Sequence, residues 1–481
     1  MSIQVYDSMS RRLQPFETRD PGKVGIYCCG MTVYNYAHIG NMRTIIWFDQ
    51  IRRYLAYRGY DVTFVMNYTD VDDKIIDRAK IEGLTPDEIT KKYETAFESD
   101  LQAFGGSEPN HIPRATQHIQ DMIQAIEELV SKGVAYEADG NVWFAVESFD
   151  GYGKLSGRTL EDMRAGERVE PHPGKKHPLD FSLWKAAKEG EPAWDSPWGP
   201  GRPGWHIECS VMSDKYLGMG FDIHGGGSDL IFPHHENEIA QAEAMTGKEP
   251  FAKYWLHAGM VQMDAEKMSK SLGNVALARE VLERYPAEAV RYWMLQGAYR
   301  SQVVFSKAAL DDAVQGYERW RTFADAVRHL LGDLPKGRHH QPVDGAQPDG
   351  AGGPFVEAFV TAMDDDFNSP EGFAAVHELV REANKALTAA QSDDESERAR
   401  LEELAGTFAE LTGVLGFTFG TDELVGSELV EKLVEYLLAR RERARNEKNF
   451  DEADEIRAKL TEFGVAIEDT PAGARWRLSA G

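Results

Sequence analysis

Cysteine is scarce, with three in 481 residues, and only Cys28 and Cys29 are neighbours. So few, odd in number and dispersed, cannot build a disulfide framework, and any cysteine with a role is a ligand or a nucleophile. Long apolar runs are missing too. Nothing approaches the roughly 18 consecutive apolar residues of a membrane span. Met1 to Phe16 lacks the apolar core of a signal peptide, so a cytoplasmic protein without membrane contact is expected. Positive charge is in deficit: 53 Lys plus Arg stand against 79 Asp plus Glu, a net −26. Taken as a whole, that balance speaks against a nucleic-acid partner. Charge is screened beyond about 8 Å, however, so a local basic track can still hold phosphate on an acidic protein. The common nucleotide signatures, G-x-x-x-x-G-K-[ST] and a G-x-G-x-x-G between strand and helix, are also absent.

The composition that remains, 42% apolar and 27% charged, excludes global disorder, and the length predicts about three domains. Residues 23–70 read as a βαβ unit: a strand from Val24 to Cys29, a helix with apolar Ile45, Phe48, Ile51 and Leu55, a stop at Gly59, and a strand from Val62 to Met66. A helix follows Pro113, and Asp139-Gly140 then turns a hairpin. From Gly151 to Gly204 the chain is rich in Gly, Pro and Trp and reads as an insertion. Alternating α/β character runs from Phe221 to about Ser306, and a long helix follows from 307 to 331. Residues 332–354 hold six Gly and four Pro in 23 positions, which predicts a flexible linker. Beyond it a helical segment extends from Phe355 to about Leu415, and charged helices and a strand-like end follow the break at Gly416–Gly426.

One phosphate device is present. His38-Ile39-Gly40-Asn41 opens the first helix, where unpaired N–H groups and the helix dipole favour anions. Gly40 allows close backbone approach, and His38 and Asn41 can donate to phosphate oxygens. Alone, the tetrapeptide reads more readily as a polar helix cap. Far downstream lies Lys267-Met268-Ser269-Lys270-Ser271, flanked by Gly259 and Gly273. In this order, within one α/β region, the two motifs resemble the signatures of class I aminoacyl-tRNA synthetases. The resemblance implies that the first holds ATP and that Lys267 and especially Lys270 stabilise departing pyrophosphate. Asn41 replaces the family's second His and keeps a hydrogen-bonding group.

Three segments offer metal ligands: Cys29 at a strand end, Cys209 in Gly204–Cys209, and His234-His235-Glu236-Asn237-Glu238. If residues 234–238 open a helix, His234 and Glu238 share a face one turn apart and can grip one ion. Cys28 and Cys29 point to opposite sides of a strand; Cys29, beside Gly30, faces the site, and Cys28 is a small buried hydrophobe. On spacing alone such a dispersed set is a coincidence more often than a zinc site.

Tyr27 to Tyr34, Asn67 to Ile75, Gly204 to Cys209 and Phe221 to Glu238 together resemble the cysteinyl-tRNA synthetases, and the likeness covers essentially the whole chain. It implies zinc held by Cys29, Cys209, His234 and Glu238, with the substrate thiolate on the same ion. It also implies Thr69 and Trp205 at the amino acid, with His206 and His224 nearby, and Gly226 and Asp229 at the nucleotide. For these last two a plain glycine-rich turn is the competing account. The acidic run Asp70-Val71-Asp72-Asp73 is read as structural, since ATP brings its own Mg2+. Seven basic against six acidic residues from Arg440 to Lys459 form no basic patch. Only the resemblance assigns tRNA contacts to Arg445, Asp454 and Asp469, with Phe450 and Trp476 as stacking rings.

The implied architecture is α/β. A Rossmann-like catalytic domain spans 1–306 with an insertion at about 113–204. A connecting helix (307–331), the linker (332–354), a helical bundle (355–419) and a small mixed anticodon-binding domain (426–481) follow. The implied partners are ATP, L-cysteine and tRNA(Cys), and the chain is expected to be a monomer. A cysteine ligase acting on an amino sugar and an inactive tRNA-binding paralogue are the rival expectations.

Overall fold

The computed structural model describes residues 2–166, 173–263, 276–337, 350–391, 394–419, 423–447, 449–463, 465–470 and 473–478. The chain divides into two compact units, Met1–Thr418 and Phe419–Gly481.

The first unit is organised around a four-stranded parallel sheet. Strand β1 is Lys23–Cys28, and helix α1, Ile39–Tyr57, returns the chain to β2, Asp61–Met66. Much later come α2, Trp205–Leu217; β3, Phe221–Gly227; α3, Glu236–Thr246; and β4, Ala252–Ala258. The order across the sheet is β4–β3–β1–β2. The chain thus winds outward to one side from β1 and then restarts on its other side, pairing Ile26 with Ile223 and Cys28 with Gly225. Between β1 and β3 lies the crevice where open α/β sheets bind ligands, beyond the carboxyl ends of the strands.

Local reasons for these elements are visible. Buried Ile45, Ile46, Phe48, Ile51 and Leu55 turn one face of α1 onto the sheet. Phe48 lies so close to β3 that a Cβ on Gly225 would sit 2.0 Å from its ring, so helix and strand meet flush only because that position is glycine.

The insertion carries its own antiparallel sheet of Ala135–Ala138, Asn141–Phe144, Phe181–Ala186 and Gly201–Pro203. Asp139 and Gly140 both have positive φ, 54° and 75°, the backbone a two-residue hairpin turn demands. Helix Ile119–Ser131 packs Met122, Ile126 and Leu129 into a core with Val142, Phe144, Leu183 and Trp184.

Beyond the parallel sheet run helices Lys307–Leu331, Gly353–Asp364, Ser369–Ala390 and Glu395–Val414. The first of the last three starts inside the stretch expected to be linker: Pro354 near its start has no N–H to lose, which suits a helix beginning. Residues 338–349 of that stretch lie outside the described set.

The second unit contains helices Glu423–Asn446 and Phe450–Glu462 and a hairpin, Val465–Thr470 with Gly473–Leu478. Its core is small: Val434, Ile456, Leu460 and Val465, with Leu437 and Leu438 against them.

Candidate active site and metal centre

Cys29 is the first residue past β1, and its N–H donates to Gly225 O of β3 at 3.0 Å, fixing it at the mouth of the crevice. Cys209 comes from α2, and Glu238 from the first turn of α3. His234 lies just before α3, with helical backbone at His235 and Glu236 joining it on. His234 Nε2 reaches Glu238 Oε1 at 2.8 Å, one turn away. Cys29 Sγ is 3.4 Å from the same oxygen. One ligand atom each of Cys29, Cys209, His234 and Glu238 lies within 4.8 Å of the others, all buried. Tetrahedral zinc with sulfur ligands needs edges of about 3.7 Å, so the donor set closes on one ion with small side-chain shifts. The chemistry of the set fits as well, since two thiols, an imidazole and a carboxylate meet without a lysine or arginine among them.

A second grouping shares two of these residues: Cys29, His224, His235 and Glu238. His224 Nε2 is 2.7 Å from Glu238 Oε2, so the carboxylate is shared between two imidazoles. Burial alone would raise Glu238; His224 and His234 instead hold it well below the usual carboxylate range. His234 moves the other way, up to about 10, because Glu238 and Cys209 outweigh burial. Burial would also raise Cys209, yet hydrogen bonding from Cys29 and His234 brings its thiol down to about 6.

Around the four stands a supporting layer. His206 Nδ1 lies 2.8 Å from His234 Nδ1, which leaves His234 Nε2 for Glu238 and the centre. Trp205 stacks on His234 with centroids 4.1 Å apart and keeps 37% of its surface exposed. Asn67 Oδ1 accepts from Gly30 N at 3.0 Å and stands 3.7 Å from Cys209 Sγ. Thr69 Oγ1 donates to Glu208 Oε2 at 2.8 Å, both side chains being buried. His235 Nδ1 meets His257 Nε2, and His257 Nδ1 meets Ser8 Oγ, each at 2.8 Å.

The second corner of the crevice is the N-terminus of α1. His38 is its N-cap: Nδ1 accepts from Asn41 N at 3.1 Å, and Asn41 Oδ1 accepts from His38 N at 3.4 Å. The tetrapeptide thus caps its own helix, the bland half of its reading. Ile39 N is also engaged, by Ala276 O at 2.9 Å. Gly40 follows in the same first turn, where a helix N-terminus favours an anion. Asp229 reaches this corner, where its charge opposes the lowering of the His38 imidazole by burial. A Cβ on Gly226 would meet Leu230 at 2.9 Å and His235 at 3.1 Å, so close packing already accounts for that glycine. Lys267 and Lys270 lie outside the described residues.

The acidic run is fully employed in structure. Asp70 accepts from Thr116 N at 2.9 Å, Asp72 caps a helix by accepting from Lys74 N at 3.0 Å, and Asp73 pairs with Lys185 at 2.8 Å and with Arg202. In the second unit Arg445 and Asp454 are exposed on their helices. Asp469 sits on the hairpin opposite Ala474, and its side chain is not described. Sequence reasoning missed Glu208, Asn67, His235 and His257 as neighbours of the site. Glu208 alone left a signal, since Trp205, Glu208 and Cys209 are spaced i, i+3, i+4 on one helix face.

The chain is similar to known proteins along its whole length. Residues 15–315 match the family described as tRNA synthetases class I (C) catalytic domain. Residues 358–420 match the DALR domain, and 430–477 the cysteinyl-tRNA ligase anticodon binding domain. A cysteine--tRNA ligase of Pelotomaculum thermopropionicum is 48% identical over 491 residues, covering 99% of both chains. That of Carboxydothermus hydrogenoformans is 46% identical over 475 residues, covering 99% of this chain and all of its own. Among solved structures, methionyl-tRNA synthetase of Mycobacterium tuberculosis with methionyl-adenylate superimposes with a TM-score of 0.57 at 15% identity, over 82% of this chain and 90% of that one; at that identity the likeness speaks for the fold. With a parallel sheet, a ligand crevice at its switch point and matches from residue 15 to 477, the chain belongs to the cysteine--tRNA ligases, within the class I aminoacyl-tRNA synthetases.

Proposed function

We propose that this chain activates L-cysteine with ATP and transfers it to the terminal ribose of tRNA(Cys), acting as a monomer in the cytoplasm. The observation that carries the reading is the meeting of Cys29, Cys209, His234 and Glu238 beside the α1 N-terminus, in one crevice. These four residues would hold zinc, which would supply a soft Lewis acid favouring a thiolate over a hydroxyl. That matters because shape alone separates cysteine poorly from serine. Cys209, with its lowered thiol, and Cys29 are the soft donors of the set; His206 and Asn67 orient His234 and Cys209. Thr69 and Trp205 bind the amino acid.

In the first step the cysteine carboxylate attacks the α-phosphorus of Mg-ATP, forming cysteinyl adenylate and releasing pyrophosphate. The carboxylate is already ionised, so no protein base is required; positioning and charge stabilisation carry the step. His38, Gly40 and Asn41 hold the nucleotide at the helix N-terminus, Gly226 and Asp229 lie against its nucleoside, and Lys267 and Lys270 meet the charge on the departing pyrophosphate. In the second step a terminal ribose hydroxyl of the tRNA attacks the cysteinyl carbonyl of the adenylate, forming the ester and releasing AMP. Labour is divided along the chain: residues 1–306 make the adenylate, and 426–481 read the tRNA through Arg445, Asp454 and Asp469.

Transfer to an amino sugar is the less favoured acceptor, because a ligase for a small acceptor has no use for an anticodon-binding segment. Cysteine-dependent ATP–pyrophosphate exchange, followed by charging of tRNA(Cys) beside an amino-sugar acceptor, tests the reading. Exchange with cysteine and not serine, and product on tRNA, are expected; product on the sugar alone would overturn the acceptor.

A further inference from the structure

The first turn of α1 is held from outside as well as by its own cap. Residues 36–39 and 276–279 run antiparallel: Ala278 N donates to Ala37 O and Ile39 N to Ala276 O, each at 2.9 Å, and His38 stands opposite Leu277. In that register Tyr36 faces Arg279 directly, as a cross-strand pair. The Arg279 guanidinium lies over the Tyr36 ring, 3.9 Å from its centroid, well inside the reach of a cation–π contact. Arg279 Nη2 also donates to Asp100 Oδ1 at 3.2 Å. Asp100 and Tyr93 stand two turns apart on one face of helix Pro86–Ala103. Tyr93 meets the Tyr36 ring edge-on, with centroids 5.0 Å apart. One helix face thus braces both members of the pair.

What the pair does follows from where it sits. The two backbone bonds flank His38, and one of them takes an N–H from the turn proposed to hold ATP. So short a ladder fixes the direction of that turn only if its strands are kept from peeling apart. At one end the chain enters α1; at the other stands the Tyr36–Arg279 pair. Among the described residues Arg279 Nε and Asp100 Oδ2 are buried without a hydrogen-bond partner. The carboxyl thus supplies one bond and not the two of a side-on pair, and the ring contact is the larger part of the hold. That one bond needs only an acceptor at Oδ1, which a carboxyl offers whether ionised or protonated. We infer that Arg279 is a positioning residue for nucleotide binding: stacked on Tyr36, it closes the ladder that sets the first turn of α1 toward ATP. This rests on the reading of the α1 N-terminus as the ATP corner and adds to it the side chains that hold the corner in place.

Steady-state ATP–pyrophosphate exchange and calorimetric ATP affinity are measured on the metal-loaded full chain, with melting temperature and metal content for each variant. Arg279→Ala is expected to raise Kd and KM for ATP about threefold to thirtyfold, the span of a cation–π contact, with KM for cysteine and bound metal unchanged. A merely structural role would move both substrates together. Tyr36→Leu should match it, and the double variant should be little worse than either, since one change already breaks the pair. Tyr36→Phe keeps the ring and Asp100→Asn keeps an acceptor, so each should stay within about twofold of wild type. ATP parameters unchanged in Arg279→Ala, or ATP and cysteine weakened equally, would overturn the inference; Tyr36→Leu decides in the same way should Arg279→Ala not fold. His38→Ala separates the inference from the reading beneath it. Normal ATP affinity in that variant would overturn both, whereas weakened ATP binding there beside a normal Arg279→Ala would overturn the inference alone.

Discussion

The crevice between β1 and β3 and the C-terminal unit are built on opposite plans. In the crevice the polar groups are largely buried and committed: two thiols, five imidazoles and the Glu238 carboxyl gather from four chain segments, and the Glu208 carboxyl bonds to Thr69. In the C-terminal unit the buried part is a few aliphatic side chains, and the large apolar residues Leu433, Tyr436, Phe450 and Phe463 are each more than half exposed. The first region carries its chemistry in its own interior contacts. The second spends its sequence on a surface, which acquires meaning only against a partner.

The sharpest way to break this contrast is to remove the second region. Truncation after Thr418 is expected to depress tRNA charging by roughly a thousandfold or more, the scale on which specific nucleic-acid binding exceeds non-specific. Cysteine-dependent pyrophosphate exchange should change less than about twofold, since chemistry that lowers no barrier through the tRNA loses none without it. Equal loss of both in a truncation shown by circular dichroism to be folded would refute the division. Cys209→Ala attacks the other side. It should cost the bound metal and about a thousandfold in exchange, consistent with apparent site energies of about 10 kcal/mol or more, and it should lower charging to the same extent. Metal content by atomic absorption and both rates decide it.

A smaller effect reaches the crevice from behind α1. Asp49, 1% exposed, pairs with fully buried Arg291 at 3.2 Å and with Arg53 at 2.7 Å. Burial pushes Asp49 up, but Arg291, Arg53 and Arg52 together hold it below its ordinary value. A depressed carboxyl contributes stability above the unfolded pKa of about 4, and that contribution disappears as pH falls through the lower folded value. Urea midpoints followed from pH 6 to pH 2.5 should therefore fall steeply below about pH 4. Asp49→Asn should flatten that fall and cost about 3–5 kcal/mol by stranding Arg291; a variant with the wild-type acid profile would remove Asp49 from the account. The smallest predicted effect belongs to Lys270. Lys270→Ala should slow adenylate formation about a hundredfold, near 3 kcal/mol of transition-state stabilisation, without weakening cysteine binding. An unchanged exchange rate would dismiss that role.

What was legible in the sequence follows the same contrast. The βαβ unit, the Asp139-Gly140 hairpin and the helix after Pro113 rest on local periodicity and turn chemistry, and they stand in the fold at nearly the residues read. The one-turn spacing of His234 and Glu238 was local as well, and the two side chains do meet. Their meeting with Cys29 and Cys209 was not readable from spacing, because sheet order decides which distant segments become neighbours; only the family likeness suggested it. Glu208 and Asn67 were invisible as supporting residues for a different reason. A carboxyl or amide in a sequence reads as surface until the fold buries it and leaves it few partners. Arg445, Asp454 and Asp469 stay as they were read, exposed or without a described side chain, since nothing inside their unit distinguishes a base contact from a solvated charge.

The distance along the chain between Cys29 and Cys209 gives the crevice a further property. An ion held by both joins points about 180 residues apart and so closes a loop of that length, as a cross-link does. On the chain-entropy account a loop of that size restricts the unfolded ensemble by about 5 kcal/mol, comparable with the whole net stability of many domains. An ion bound there would then fasten the segment carrying Cys29 to the helices carrying Cys209 and Glu238, besides any part in sorting thiols from hydroxyls. Loss of metal would be felt as looseness of the sheet as much as loss of selectivity.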